Sequence, residues 1–162
     1  MLYTSADRHV LGYLGRALSL EFSAVQQYST QARLVASWGL DDAARRLSQE
    51  VSEELGHVDR IIARMLALGV APNASQLRPV RLGSTLRELL LQNHSFEREI
   101  VHLYDNATRY CAAAGDHDNR LFFETLLVEE RRHVDEVARW LEALEGSVAA
   151  SVAGVPAERA TF

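Results

Sequence analysis

Two copies of Glu-x-x-His, each preceded by a lone glutamate 33 residues upstream, restrict this chain more than any other feature. The motifs are Glu54-Leu55-Gly56-His57 and Glu130-Arg131-Arg132-His133, and the upstream glutamates are Glu21 and Glu97. Three residues is nearly one helical turn, so within a helix each Glu and its His share a face. All four glutamates stand among apolar residues. Leu18, Phe22 and Val25 surround Glu21; Val51, Leu55 and Val58 surround Glu54; Phe96, Ile100 and Val101 surround Glu97; Leu126, Leu127 and Val134 surround Glu130. An unpaired carboxylate is costly to bury, and four together repel one another. Two divalent cations remove both difficulties, because four carboxylates and two imidazoles supply terminal and bridging ligands at a net charge near zero. Hard oxygen donors mixed with imidazole suit iron or manganese better than zinc in an all-thiolate site. One Glu-x-x-His alone is usually a solvated pair on a helix. The matched duplication makes Glu21, Glu54, His57, Glu97, Glu130 and His133 the expected ligands of a two-metal site.

The same duplication predicts the fold. Val10, Leu14, Ala17, Phe22, Val25 and Tyr28 recur at helical spacing from a capping box at Thr4-Ser5-Ala6-Asp7 to Trp38-Gly39. Asp41 or Asp42 caps a second helix, with Leu47, Val51, Val58, Ile61, Ile62 and Met65 on one stripe, ending at Gly69. A third runs from the capping box Thr85-Leu86-Arg87-Glu88 to Gly115, and a fourth from Asp116 to Asp118 as far as about Gly146. Each is far longer than the ~11–12 residues of an average globular helix, which points to an all-α four-helix bundle. Residues 1–146 form the bundle, and residues 147–162 read as a short atypical tail, partly disordered and broken by Gly154 and Pro156.

The first and third connections are short hairpins, whereas the middle one, residues 70–83, carries Pro72 and Pro79. Its roughly fourteen residues reach about 46 Å when extended at ~3.3 Å each. A helix of about 28 residues measures about 42 Å. The connection can therefore run the length of the bundle and start helix three parallel to helix two, which is the ferritin-like topology with one long crossover.

Composition narrows the class further. Seventeen basic against 22 acidic residues give a net charge of −5, which argues against a nucleic-acid binder. The single cysteine, Cys111, can form no internal disulfide, and no run approaches the ~20 apolar residues of a membrane span. No signal-peptide pattern opens the chain, so a soluble cytoplasmic protein is expected, with no nucleic-acid or membrane partner. Other polar residues receive quieter readings. Glu50, Glu53 and Glu129 are taken as solvent-facing or lumen-facing charges, so Glu129→Gln is expected barely to slow the chemistry. His9, His94, His102 and His117 have no companion at ligand spacing. Asn93 stands one turn before Glu97 and could lie beside the ligands. Tyr28 lies two turns after Glu21 and points into the same interior, either as core with a satisfied hydroxyl or as a hydrogen-bond donor to Glu97.

From about residue 7 to residue 146 the chain resembles the bacterioferritin family. The resemblance rests on Leu20-Glu21, Gln27-Tyr28, Trp38-Gly39-Leu40, Glu54-Leu55-Gly56-His57-Val58-Asp59-Arg60, Ala71-Pro72-Asn73 and Glu129-Glu130-Arg131-Arg132-His133. It implies a ferroxidase that binds two iron ions per subunit, oxidises Fe(II) with oxygen or hydrogen peroxide, and stores ferric mineral in a shell of 24 chains built from dimers. Glu54 and Glu130 would bridge the irons, Glu21 with His57 and Glu97 with His133 would complete each site, and Tyr28 matches the tyrosine beside the site. Three departures matter. The methionine that ligates haem in this family is matched by Leu55, so haem is not expected. An inner-surface iron site built on a His and an Asp is matched by Gln49 and Glu53. The tail differs from the family's short final helix. Two other readings stay open: a non-storing di-iron oxidase or peroxidase of rubrerythrin-like form, and a subunit of a mixed shell with a haem-binding sister chain.

Overall fold

The computed structural model describes residues 6–74 and 76–153, with side chains assigned as far as Val148. They form four helices, α1 (Arg8–Ser37), α2 (Asp41–Ala67), α3 (Leu86–Ala114) and α4 (His117–Ala153), and no strand occurs among the described residues. The expected four-helix bundle is present, and none of its helices is long and apolar enough to cross a membrane.

The two hairpins owe their tightness to glycine. At Gly39 and Gly115 the backbone turns left-handed, with φ of +78° and +72°, a conformation costly for any residue with a Cβ. In both turns the glycine N–H and the next N–H return to carbonyls of the final helical turn: Gly39 to Ala36, Leu40 to Val35, Gly115 to Ala112 and Asp116 to Cys111. Leu40 then does double duty. Its N–H closes α1 while its carbonyl accepts from Ala44 and opens α2, at 3.0 Å in each case.

That economy corrects the expected cap of α2. The turn is too short to place an aspartate at the cap, so Leu40 occupies it, and Asp41 and Asp42 lie in the first helical turn, where their charge suits the positive end of the helix. At α1 the cap is Asp7, whose side chain accepts from the His9 N–H at 2.7 Å; Thr4 and Ser5 lie outside the described residues. At α3, Thr85 accepts from the Glu88 N–H at 3.2 Å as expected, while the Glu88 carboxylate reaches back to the Ser84 N–H at 2.8 Å. Helix α4 corrects the expected end: it passes through Gly146 and continues to Ala153. One interior glycine costs only about 1 kcal/mol against alanine, too little to stop a helix with no proline nearby. The rest of the expected tail, 154–162, lies outside the described residues.

Helix direction follows from which ends share a core. One apolar cluster joins Val10 of α1, Met65 of α2, Cys111 of α3 and Phe123 of α4; the other joins Val35, Ala43 and Leu89, with Trp140 against it. Early α1 therefore lies with late α2, late α3 and early α4. Helices α2 and α3 run parallel, as the long crossover predicts. The crossover is fastened along α1: the Gln27 amide bonds both the N–H and the carbonyl of Arg81, at 2.7 and 2.6 Å, and Ser23 Oγ accepts from the Arg78 N–H at 2.9 Å. These side chains supply partners that extended backbone would otherwise lack. The two apolar clusters leave a polar layer between them, and the functional residues lie there.

Candidate metal centre

Each helix contributes to this layer at the height its stripe dictates: Glu21 and Tyr28 from α1, Glu54 and His57 from α2, Glu97 and Tyr104 from α3, Glu130 and His133 from α4. All eight side chains are buried, and Glu21, Glu54 and Glu130 have no exposed surface. The six expected ligand residues fall into two groups able to hold an ion. One comprises Glu21, Glu54, His57 and Glu130; the other comprises Glu54, Glu97, Glu130 and His133. Glu54 and Glu130 belong to both. Glu54 turns Oε2 to within 3.0 Å of His57 Nδ1 and Oε1 to within 3.2 Å of His133 Nδ1. Glu130 does the same with Oε1 at 2.6 Å and Oε2 at 3.5 Å. Each carboxylate thus spans the two halves, while Glu21 and Glu97 each face one.

None of these contacts is a hydrogen bond: both Nδ1 atoms and the oxygens of Glu54 and Glu130 are without hydrogen-bond partners. Among the described residues, ten buried side-chain oxygens or nitrogens lack a hydrogen-bond partner, and eight belong to this cluster: Glu21 Oε2, both oxygens of Glu54 and of Glu130, Glu97 Oε2, and Nδ1 of His57 and His133. Buried polar atoms are almost always satisfied. Eight exceptions converging on one point mark a place shaped for cations.

The remaining polar atoms of these residues are all engaged. Tyr28 donates its hydroxyl proton to Glu97 Oε1, the second of the two roles left open for it, and Tyr104 donates to Glu21 Oε1. His57 Nε2 meets Glu129 at 3.0 Å and His133 Nε2 meets Glu53 at 2.9 Å. Arg60 clamps Glu129 at 3.1 and 2.5 Å, and Arg132 holds Glu53 at 2.7 Å. Glu53 and Glu129 are therefore not free surface charges, which corrects the reading from sequence: they fix each imidazole so that Nδ1 faces inward. Glu50 is half-buried rather than solvent-facing. Asn93 does not reach Glu97. It pairs with Gln31 through two amide bonds of 2.8 and 2.7 Å between α3 and α1.

Pseudo-twofold symmetry underlies the arrangement. Glu21 and Glu97, Tyr28 and Tyr104, Glu53 and Glu129, Glu54 and Glu130, and His57 and His133 are each 76 residues apart, as are Gly39 and Gly115. Tyr104, Glu53 and Glu129 escaped the sequence reading although this register marks them.

Electrostatics reflect crowded carboxylates. Burial, then Glu54, pushes the Glu21 carboxyl up to about 8, and burial with Glu130 raises Glu97 well above its ordinary range. For the imidazoles burial opposes the charge, yet the surrounding carboxylates prevail and lift His133 to about 12 and His57 likewise upward. Burial and their carboxylate partners raise both tyrosines. The metal-free cluster thus holds protons that the unfolded chain gives up, near pH 4.3 for glutamate and 6.5 for histidine. Folded groups with raised pKa stabilise at low pH and lose that contribution as pH rises. Metal-free protein should therefore melt at progressively lower temperature from about pH 5.5 to 8, and Mn(II) should oppose the loss most strongly at pH 8. A melting temperature that climbs over this range without metal would contradict the electrostatic reading.

Comparison with known proteins agrees with this geometry. Residues 11–147 match the ferritin-like domain family. The chain is 40% identical over 129 residues to bacterioferritin of Rhodobacter capsulatus, covering 80% of each chain. It is 31% identical over 135 residues to bacterioferritin of Brucella melitensis, covering 83% of this chain and 84% of the relative. A solved structure of the Rhodobacter capsulatus protein, described as having a metal-free dinuclear site and haem iron, superposes with a TM-score of 0.85 at 34% identity, covering 97% of this chain and all of the other. Fold, site geometry and sequence agree, and the chain belongs to the bacterioferritin family of ferritin-like proteins.

Proposed function

We propose that this chain is an iron-storage subunit that oxidises Fe(II) at a two-iron centre held by Glu21, Glu54, His57, Glu97, Glu130 and His133. One observation carries the reading: eight buried donor atoms of these residues lack any hydrogen-bond partner and face one another. Four carboxylates balance two divalent ions, and an oxygen-rich donor set with one imidazole per ion suits iron. Iron is here substrate and cargo. Two Fe(II) each give one electron, which with two protons reduces oxygen to hydrogen peroxide or hydrogen peroxide to two waters.

The chain's own residues supply the setting. Glu54 and Glu130 reach both halves and would bridge the ions at the ~3.5–4 Å typical of two-metal sites. Glu21 and His57 would complete one half, Glu97 and His133 the other. Carboxylates favour the ferric state because of its higher charge. Tyr28 and Tyr104 hold the terminal carboxylates, and Glu53 and Glu129 hold the imidazoles in the tautomer that exposes Nδ1. On the outward face of α2, Leu55 is 46% exposed and has no donor atom for haem iron, so haem is no part of this reading.

Storage adds a shell. Twenty-four chains of 18.1 kDa make a particle of about 430 kDa, whose acidic walls would draw in Fe(II). A cytoplasmic setting belongs to the same reading.

Rapid-mixing absorbance of ferric product tests the centre. Glu130→Ala should abolish fast oxidation. Glu129→Gln should weaken metal binding about tenfold and slow oxidation at limiting Fe(II), with recovery at excess. Similar rates in both variants would remove the ligand assignment. Light scattering tests the shell: about 430 kDa supports storage, whereas a dimer would leave a soluble oxidase with no cavity to fill.

A further inference from the structure

Tyr104 is fully buried on α3 and gives its hydroxyl proton to Glu21 of α1, while Tyr28 of α1 does the same for Glu97 of α3. Both bonds fall on Oε1 of the carboxylate, and in both residues Oε2 is left without a partner. Each tyrosine stands seven residues, two turns, after the glutamate of its own helix. The two pairs therefore cross between α1 and α3 in opposite senses and repeat each other under the pseudo-twofold. No such pairing falls on Glu54 or Glu130, whose four oxygens all remain open.

The contrast assigns a job to the phenols. A buried hydroxyl donor fixes the plane of the carboxylate it bonds and makes the bonded oxygen the weaker metal donor. Resting on the two-iron reading above, we propose that Tyr104 is a positioning residue for Glu21, equivalent to Tyr28 for Glu97. Each phenol holds one terminal glutamate in place with its Oε2 left unpartnered, and together they keep the two half-sites matched in affinity. Tyr28 on its own would leave a lopsided centre, with Glu97 aimed and Glu21 free to rotate. With both phenols in place, both ions would meet one held terminal carboxylate, one imidazole and two shared carboxylates.

Cobalt(II) tests this without turnover, since it takes the same hard oxygen and imidazole donors and reports its coordination by visible absorption. Titration of the metal-free full chain should fill two sites of similar affinity. Tyr104→Phe should weaken one site about tenfold and leave the other unchanged, so that the titration separates into two steps. Tyr28→Phe should produce the same split with the other half weakened, and the double variant should return to a single weak step. Thermal unfolding of each metal-free variant supplies the control. Equal weakening of both sites in Tyr104→Phe, in step with a loss of metal-free stability, would reduce Tyr104 to packing and overturn the proposal. A Tyr104→Phe titration that overlays the unaltered protein would overturn it as well. If the unaltered chain takes up fewer than two cobalt ions, the two-iron reading itself fails, an outcome separate from either of these.

Discussion

Four carboxylates and two imidazoles buried in one layer of a helical bundle set the terms for everything around them. Such a cluster is costly on its own: its carboxylates crowd one another, eight of its atoms lack hydrogen-bond partners, and burial penalises each charge. The outer atoms of each residue are committed to partners that leave the inner atoms free, and the two groups those inner atoms form could each hold a cation. Apolar clusters on both sides of the layer, around Leu14, Ile61 and Phe123 on one side and Val35, Leu47 and Leu89 on the other, exclude solvent and hold the helices at the required spacing.

The division of labour among helices is regular. Helices α1 and α3 carry Glu21 and Glu97 and meet through tyrosine–glutamate pairs and the Gln31–Asn93 amide pair. Helices α2 and α4 carry the two histidines and Glu54 and Glu130, which reach both of them, and they meet through glutamate–histidine pairs capped by arginine. Every one of these contacts crosses between the two hairpins rather than within one. The site therefore cannot form until the hairpins have docked, and the long crossover, pinned to Ser23 and Gln27, brings α3 into that docking parallel to α2.

Most of the fold was legible because long apolar stripes and glycine stops are local signals. The six clustered residues were legible because a duplicated spacing is improbable without a shared cause. What escaped depended on contacts between distant segments or on competition at helix ends. Taken singly, Glu53 and Glu129 look like surface charges, because the histidine that each one holds stands about 80 and 72 residues away and only the shared 76-residue register marks them. Tyr104 follows Glu97 by the same seven residues that separate Tyr28 from Glu21, so its signal was present but went unread. Asn93 was placed in the correct layer with the wrong neighbour, because an amide can choose among several acceptors once helices pack. The end of α4 was misplaced because one glycine weighs too little against the helix that continues beyond it.

The central claim is that two ions occupy the space between His57 and His133. Anomalous diffraction from crystals soaked with Mn(II) would test it most directly. The account predicts two peaks per chain, each beside one histidine Nδ1, with Glu54 and Glu130 reaching both. A single peak, or density confined to surface carboxylates, would contradict it.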